Sequence, residues 1–113
     1  MTVSPDLGLR TRLLRMEDAR RQTQHQLAMI DRQITRRITA MVPLIGRRQI
    51  GYRRGKAPEP AAFLERYRSN LAAITAERQP EIDALSRKLA RQDAAIAALR
   101  ARLEPASPQL MRA

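Results

Sequence analysis

Apolar residues recur along this chain in steps of three and four, the spacing that gathers side chains on one face of a helix. A first stripe runs Leu9, Leu13, Met16, then Leu27, Ile30, Ile34, Ile38 and Met41. A second runs Leu64, Tyr67, Leu71, Ile74, Ile82, Leu85, Leu89, Ile96, Leu99 and Leu103. Between them lies Gly46-Arg47-Arg48-Gln49-Ile50-Gly51-Tyr52-Arg53-Arg54-Gly55-Lys56. The pattern predicts an all-α fold: an elongated antiparallel two-helix hairpin, coiled-coil-like, closed by a basic tip.

Breakers and caps set the expected boundaries of a single domain. Ser4-Pro5-Asp6 suits a helix start, so helix 1 is expected over 6–42. Pro43 lacks an amide hydrogen and its ring crowds the preceding turn, which predicts a stop there and a basic loop over 43–59. Glu59 and Pro60 suit the opening of helix 2, expected over 60–103, with a flexible tail at 104–113. Pro80 falls inside helix 2, where the stripe steps four and four through Ile74, Arg78 and Ile82. Such a stutter predicts a kink near Pro80 rather than a break. The register that follows sets Ile38 opposite Tyr67, Ile34 opposite Leu71 and Met16 opposite Leu89. Arg20 and Thr23, polar residues within the first stripe, would face Leu85 and Ile82. Leu103 would have no partner.

Composition agrees with a thin seam more than with a globular core. Much of the 43% hydrophobic fraction is alanine, and the only aromatics are Tyr52, Phe63 and Tyr67. The formal charge is +11, unevenly placed: residues 1–58 hold 13 basic and 4 acidic side chains, residues 59–113 hold 9 and 7. A basic half of this kind attracts nucleic acid, anionic membrane or acidic protein. Twenty of the 22 basic residues are arginine, whose fork fits phosphate and carboxylate alike, although a GC-rich genome also favours arginine codons.

Catalytic chemistry has little to work with. The chain has no cysteine, so disulfides, thiolate metal sites and thiol catalysis are excluded. Its one histidine, His25, sits among Gln22, Thr23, Gln24 and Gln26 and reads as a solvated side chain without the partner a general base needs. Glu17, Asp18 and Asp31 stand among arginines and read as partners within their own helix, for instance Glu17 with Arg20 or Arg21. No cofactor is expected. No apolar run approaches the ~20 residues of a membrane span, and the first residues do not read as a signal peptide. Neither membrane insertion nor secretion is expected, and a cytoplasmic location is the default.

The best candidate site is the tip: Arg47, Arg48, Tyr52, Arg53, Arg54 and Lys56. Arginine beside an aromatic can hold phosphates and stack a base, or hold a patch of Asp and Glu. The plain alternative is a solvated connector. A secondary basic patch, Arg32, Arg36 and Arg37, follows helix 1 toward the tip. A two-helix seam also leaves apolar surface, at Leu14, Val42 and Leu44, so self-association or a helix-mediated complex is expected.

From Phe63-Leu64-Glu65-Arg66-Tyr67 through Arg102-Leu103, with Tyr67, Leu71 and Ile74 on an Arg- and Gln-rich helix, the chain resembles the second helix of the FliJ/YscO stalk proteins of flagellar and type III secretion systems. Leu13 to Met41 is similar in kind to the first. The resemblance implies a hairpin that inserts into a hexameric ATPase ring and escorts export chaperones. The function expected is therefore a non-enzymatic coiled-coil interaction module with an acidic protein partner, an ATPase ring or an export chaperone. The alternative is a small basic nucleic-acid-binding accessory protein of phage or plasmid type, which should carry its arginines on one continuous face.

Overall fold

A computed structural model describes the backbone of residues 5–52 and 60–104 and the side chains of residues 6–46 and 60–104. Two helices make up the described chain: α1, Pro5–Tyr52, and α2, Pro60–Leu103. The fold is an all-α helical hairpin. Its contacts group into a terminal unit, Met1–Leu27 with Ala84–Ala113, and a central unit, Ala28–Asp83.

In the central unit the core is Ile30, Ile34, Ile38 and Ile45 of α1 with Ile74 of α2. Arg37 reaches Glu77 at 2.5 Å, and Arg78 donates to Gln33 at 2.8 Å. In the terminal unit Ile96 and Leu99 are buried. There Arg20 pairs with Asp93, and Arg100 with Glu17. Each unit is therefore antiparallel, and each reports the same alignment of α1 with α2.

That alignment differs from the expected one by a heptad. The ion pairs set Met16 level with Ile96, Leu13 with Leu99 and Leu9 with Leu103, not Met16 with Leu89. In the central unit they set Ile30 level with Ile82 and Ile38 with Ile74. A shift of one heptad, about two turns, keeps every stripe facing inward, so the seven-residue repeat by itself does not distinguish the two registers. Leu103 is half-buried at the level of Leu9 and is not without a partner position.

The cause lies at Pro43. The helix expected to end at residue 42 continues to Tyr52, so residues 43–52 are helical rather than loop. Pro43 is exposed and lies inside the helix, where it removes one backbone hydrogen bond and crowds the Thr39 carbonyl. Burial outweighs that cost: the stripe continues past the proline from Met41 to Ile45, which is 5% exposed. A longer α1 against an α2 that still begins at Pro60 shifts the register with it. Residues 53–59, the remainder of the expected loop, and the expected tail at 105–113 lie outside the described residues.

Pro80 lies inside α2 and does not end it. Side-chain bonds straddle the lost backbone bond: Arg78 to Glu81 at 3.0 Å, and Gln79 to Asp83 at 2.8 Å. At the C-terminus the Glu104 amide donates to the Arg100 carbonyl at 3.1 Å, closing the final turn.

Two sets of substitutions follow from this packing. Ile38→Ala and Ile96→Ala, at buried seam positions, should each lower stability by about 2–4 kcal/mol. Leu14→Ala, at a position 66% exposed, should change it by less than about 0.5 kcal/mol. Conversely, Pro43→Ala should stabilise the hairpin by up to about 3 kcal/mol. Gly46→Ala, where an added methyl meets nothing within 4 Å, should add about 0.5–1 kcal/mol. Thermal melts followed by circular dichroism read both sets; a lower Tm for Pro43→Ala would mean that the proline ring itself supports the packing.

Candidate functional site

Of the residues singled out at the tip, Arg47, Arg48 and Tyr52 fall on the last turns of α1 instead of in a loop, and their side chains lie outside the described residues. Arg53, Arg54 and Lys56 lie outside the described residues altogether. The secondary patch is described. Arg32, Arg36 and Arg37 are all exposed, but they are not equivalent. Arg37 is engaged with Glu77 across the seam, and Arg32 reaches the Met29 sulfur at 3.8 Å, a weak contact. Arg36 has no ion-pair partner among the described residues.

The terminal unit holds a constellation that the sequence reading divided wrongly. Its seam is interrupted by a polar layer. Thr23 is the most buried side chain among the described residues, 1% exposed, and its hydroxyl donates to the Ala19 carbonyl at 3.2 Å. Arg20, half-buried, bonds Asp93 of α2. The observed register sets Arg20 level with Gln92, so two polar seam residues share one level. The Gln92 Oε1 atom is buried and accepts no hydrogen bond from the protein.

Heptad geometry gives this unit two unlike flanks. One flank carries Glu17 and Arg21 of α1 with Asp93, Ala97 and Arg100 of α2. These line an open cleft of about 400 Å³ together with Arg20 and Ile96. Glu17, expected to bond within its own helix, instead crosses to Arg100 because its position borders the seam. Asp18, on the outward side, does bond within its helix, to Arg21 at 3.2 Å and Gln22 at 3.3 Å. The cleft thus neutralises itself: its charged groups are taken up by one another or by Asp18.

The opposite flank carries Arg12 and Arg15 of α1 with Lys88, Arg91 and Arg102 of α2. All five are exposed, and none has an ion-pair partner among the described residues. The residues interleaved with them are Ala19, Gln22, Gln26, Ala95 and Ala98, and no acidic side chain lies on this flank. Sequence reasoning missed it because it looked for crowding along the chain. Read by heptad position once the helices are paired, the five cations fall on one side.

Among the described residues no three His, Cys, Asp or Glu side chains converge as a metal site, and no helix is long and apolar enough to cross a membrane. No family model matches the chain, and no curated protein or solved structure matches it.

The polar layer makes its own prediction. Gln92→Leu should stabilise the hairpin by about 1–3 kcal/mol, because it removes a buried acceptor that lacks a partner. Thr23→Val, which keeps the shape and loses one local bond, should be close to neutral. Urea melts measure both. A loss on Gln92→Leu would show that the amide has a partner in solution that holds it in place.

Proposed function

We propose that this hairpin is a non-enzymatic protein-interaction module, a cytoplasmic stalk or adaptor of a flagellar or type III export ATPase. The observation that carries the reading is how narrow the core is. Seven apolar side chains are buried among the described residues, while Leu7, Leu14, Leu44 and Leu64 stay more than 40% exposed. Leu7 and Leu14 lie seven residues apart, on one side of α1, where a partner helix can cover them. The fold agrees with the resemblance of residues 63–103 to the second helix of the stalk family. The surplus of positive charge suits an acidic socket.

The tip is where such a partner would be gripped. Arg47 and Arg48 lie on the last turns of α1, and Arg53 and Arg54 follow it in the sequence before α2 begins. Replacing all four with Ser should leave helicity and Tm nearly unchanged while weakening the complex with the host's export ATPase. The wild-type complex should also weaken as salt is raised, since exposed ionic contacts are screened within ~8–10 Å at 0.1–0.15 M. Surface plasmon resonance on the purified ATPase and on its export chaperones tests this. Absence of any complex at micromolar concentrations would refute the stalk reading; full binding by the tip variant would reduce the tip to a connector.

A further inference from the structure

We infer that the acid-free flank of the terminal unit is a second binding surface, and that its ligand is the phosphate backbone of a nucleic-acid duplex. The surface comprises Arg12, Arg15, Lys88, Arg91 and Arg102. It shares no residue with the tip and does not rest on the secretion reading.

The charge pattern is the first support. Arg20, Arg21 and Arg100 on or near the other flank are matched by Asp93, Asp18 and Glu17. The five cations here have no such match among the described residues, although exposed arginines on a helix readily pair with acids three or four residues away. Arg12 and Arg15 form one cluster, and Lys88 with Arg91 forms another, each pair three residues apart. With the observed register the clusters lie about 13 Å apart along the helices, at ~1.5 Å per residue. A duplex places one phosphate per ~3.4 Å of axis on each strand, so that span covers several phosphates.

The residues between the cations select among anionic partners. Ala19, Gln22, Gln26, Ala95 and Ala98 include no large apolar side chain. A membrane-bound helix face needs Leu, Phe or Trp to enter the lipid, and this flank has none. Protein interfaces draw their affinity from buried aromatic and aliphatic anchors, which are also missing here. Duplex backbone binding needs neither, because counterion release supplies its free energy. Glutamine side chains add hydrogen bonds to phosphate without reading sequence. Phe63 and Tyr67, the aromatics among the described residues, both belong to the central unit, so the flank offers no platform for stacking unpaired bases. That favours a duplex over a single strand, and binding without sequence preference.

Fluorescence anisotropy with a labelled 24-base-pair DNA of mixed sequence tests the inference, using the full chain across a salt series. Wild type should bind, and its log–log salt slope should contain about 0.9 per phosphate contacted by the flank. The variant Arg12→Gln/Arg15→Gln/Lys88→Gln/Arg91→Gln/Arg102→Gln should bind at least tenfold more weakly at low salt and show a shallower slope. Its circular dichroism should be unchanged, because no described contact is removed. Should the fivefold variant unfold, Arg12→Gln/Arg15→Gln and Lys88→Gln/Arg91→Gln separately should each give part of the loss. The tip variant should keep the flank's share of the slope. No binding by wild type at low salt would overturn the inference, as would a flank variant with unchanged affinity and slope. Displacement of the duplex by poly-glutamate at equal charge would overturn it in favour of an acidic protein. Any of these outcomes leaves the export-ATPase measurement standing on its own.

Discussion

The seam between α1 and α2 governs everything else, and its register is the constraint that matters most. Two long helices with heptad stripes can slide by seven residues and still bury the same residue types. What separates neighbouring registers is detail: where the stripe stutters, where it turns polar, and which charges meet across it. In the central unit α1 steps four and four through Ile30, Ile34 and Ile38, and α2 steps four and four through Ile74, Arg78 and Ile82. The observed register brings the two stutters level. A stutter unwinds a coiled coil locally, so the helices match when both do so at the same place.

In the terminal unit the same role falls to polarity. Arg20 and Gln92 share a level, and Thr23 is buried one step away. A slip of one heptad would set Arg20 against Leu85 and leave Gln92 against Leu13. Arg20 would then face an apolar residue away from Asp93, whereas the Gln92 Oε1 lacks a partner in either register and does not separate them. A polar layer of this kind lowers stability while specifying alignment. The ion pairs Arg20–Asp93 and Arg100–Glu17 add to this only modestly: their side chains are partly exposed, and exposed pairs contribute about 0–1 kcal/mol.

The helical hairpin was legible in the sequence because period and length suffice for it. Two stripes of alternating threes and fours leave little choice of fold, and α2 begins and ends where its prolines and glutamate indicate. The end of α1 was not legible from local rules. Pro43 and Gly46 both argue against helix, and only the burial of Ile45, a tertiary effect, outweighs them. The register error followed from that boundary and from setting the polar Arg20 and Thr23 against the kink expected at Pro80, although the paired stutters held the correct answer in the sequence. The basic flank was hidden for a different reason. Arg12, Arg15, Lys88, Arg91 and Arg102 are scattered over both helices, and nothing in the linear sequence joins them before the helices are aligned. Clustering along the chain pointed instead to the tip, where the charges are closest in sequence.

Alignment is therefore the claim on which the polar layer and the flank both depend, and the absence of native cysteine makes it directly measurable. Introducing Met16→Cys with Ile96→Cys, and separately Met16→Cys with Leu89→Cys, tests it under mild oxidation at high dilution. A disulfide needs Cα atoms within ~7 Å, less than the rise of one heptad. The Met16→Cys/Ile96→Cys pair should close rapidly within the monomer and raise Tm, while the Met16→Cys/Leu89→Cys pair should stay reduced. Rapid closure of the Met16→Cys/Leu89→Cys pair, with the other pair unreactive, would contradict the register and with it the flank.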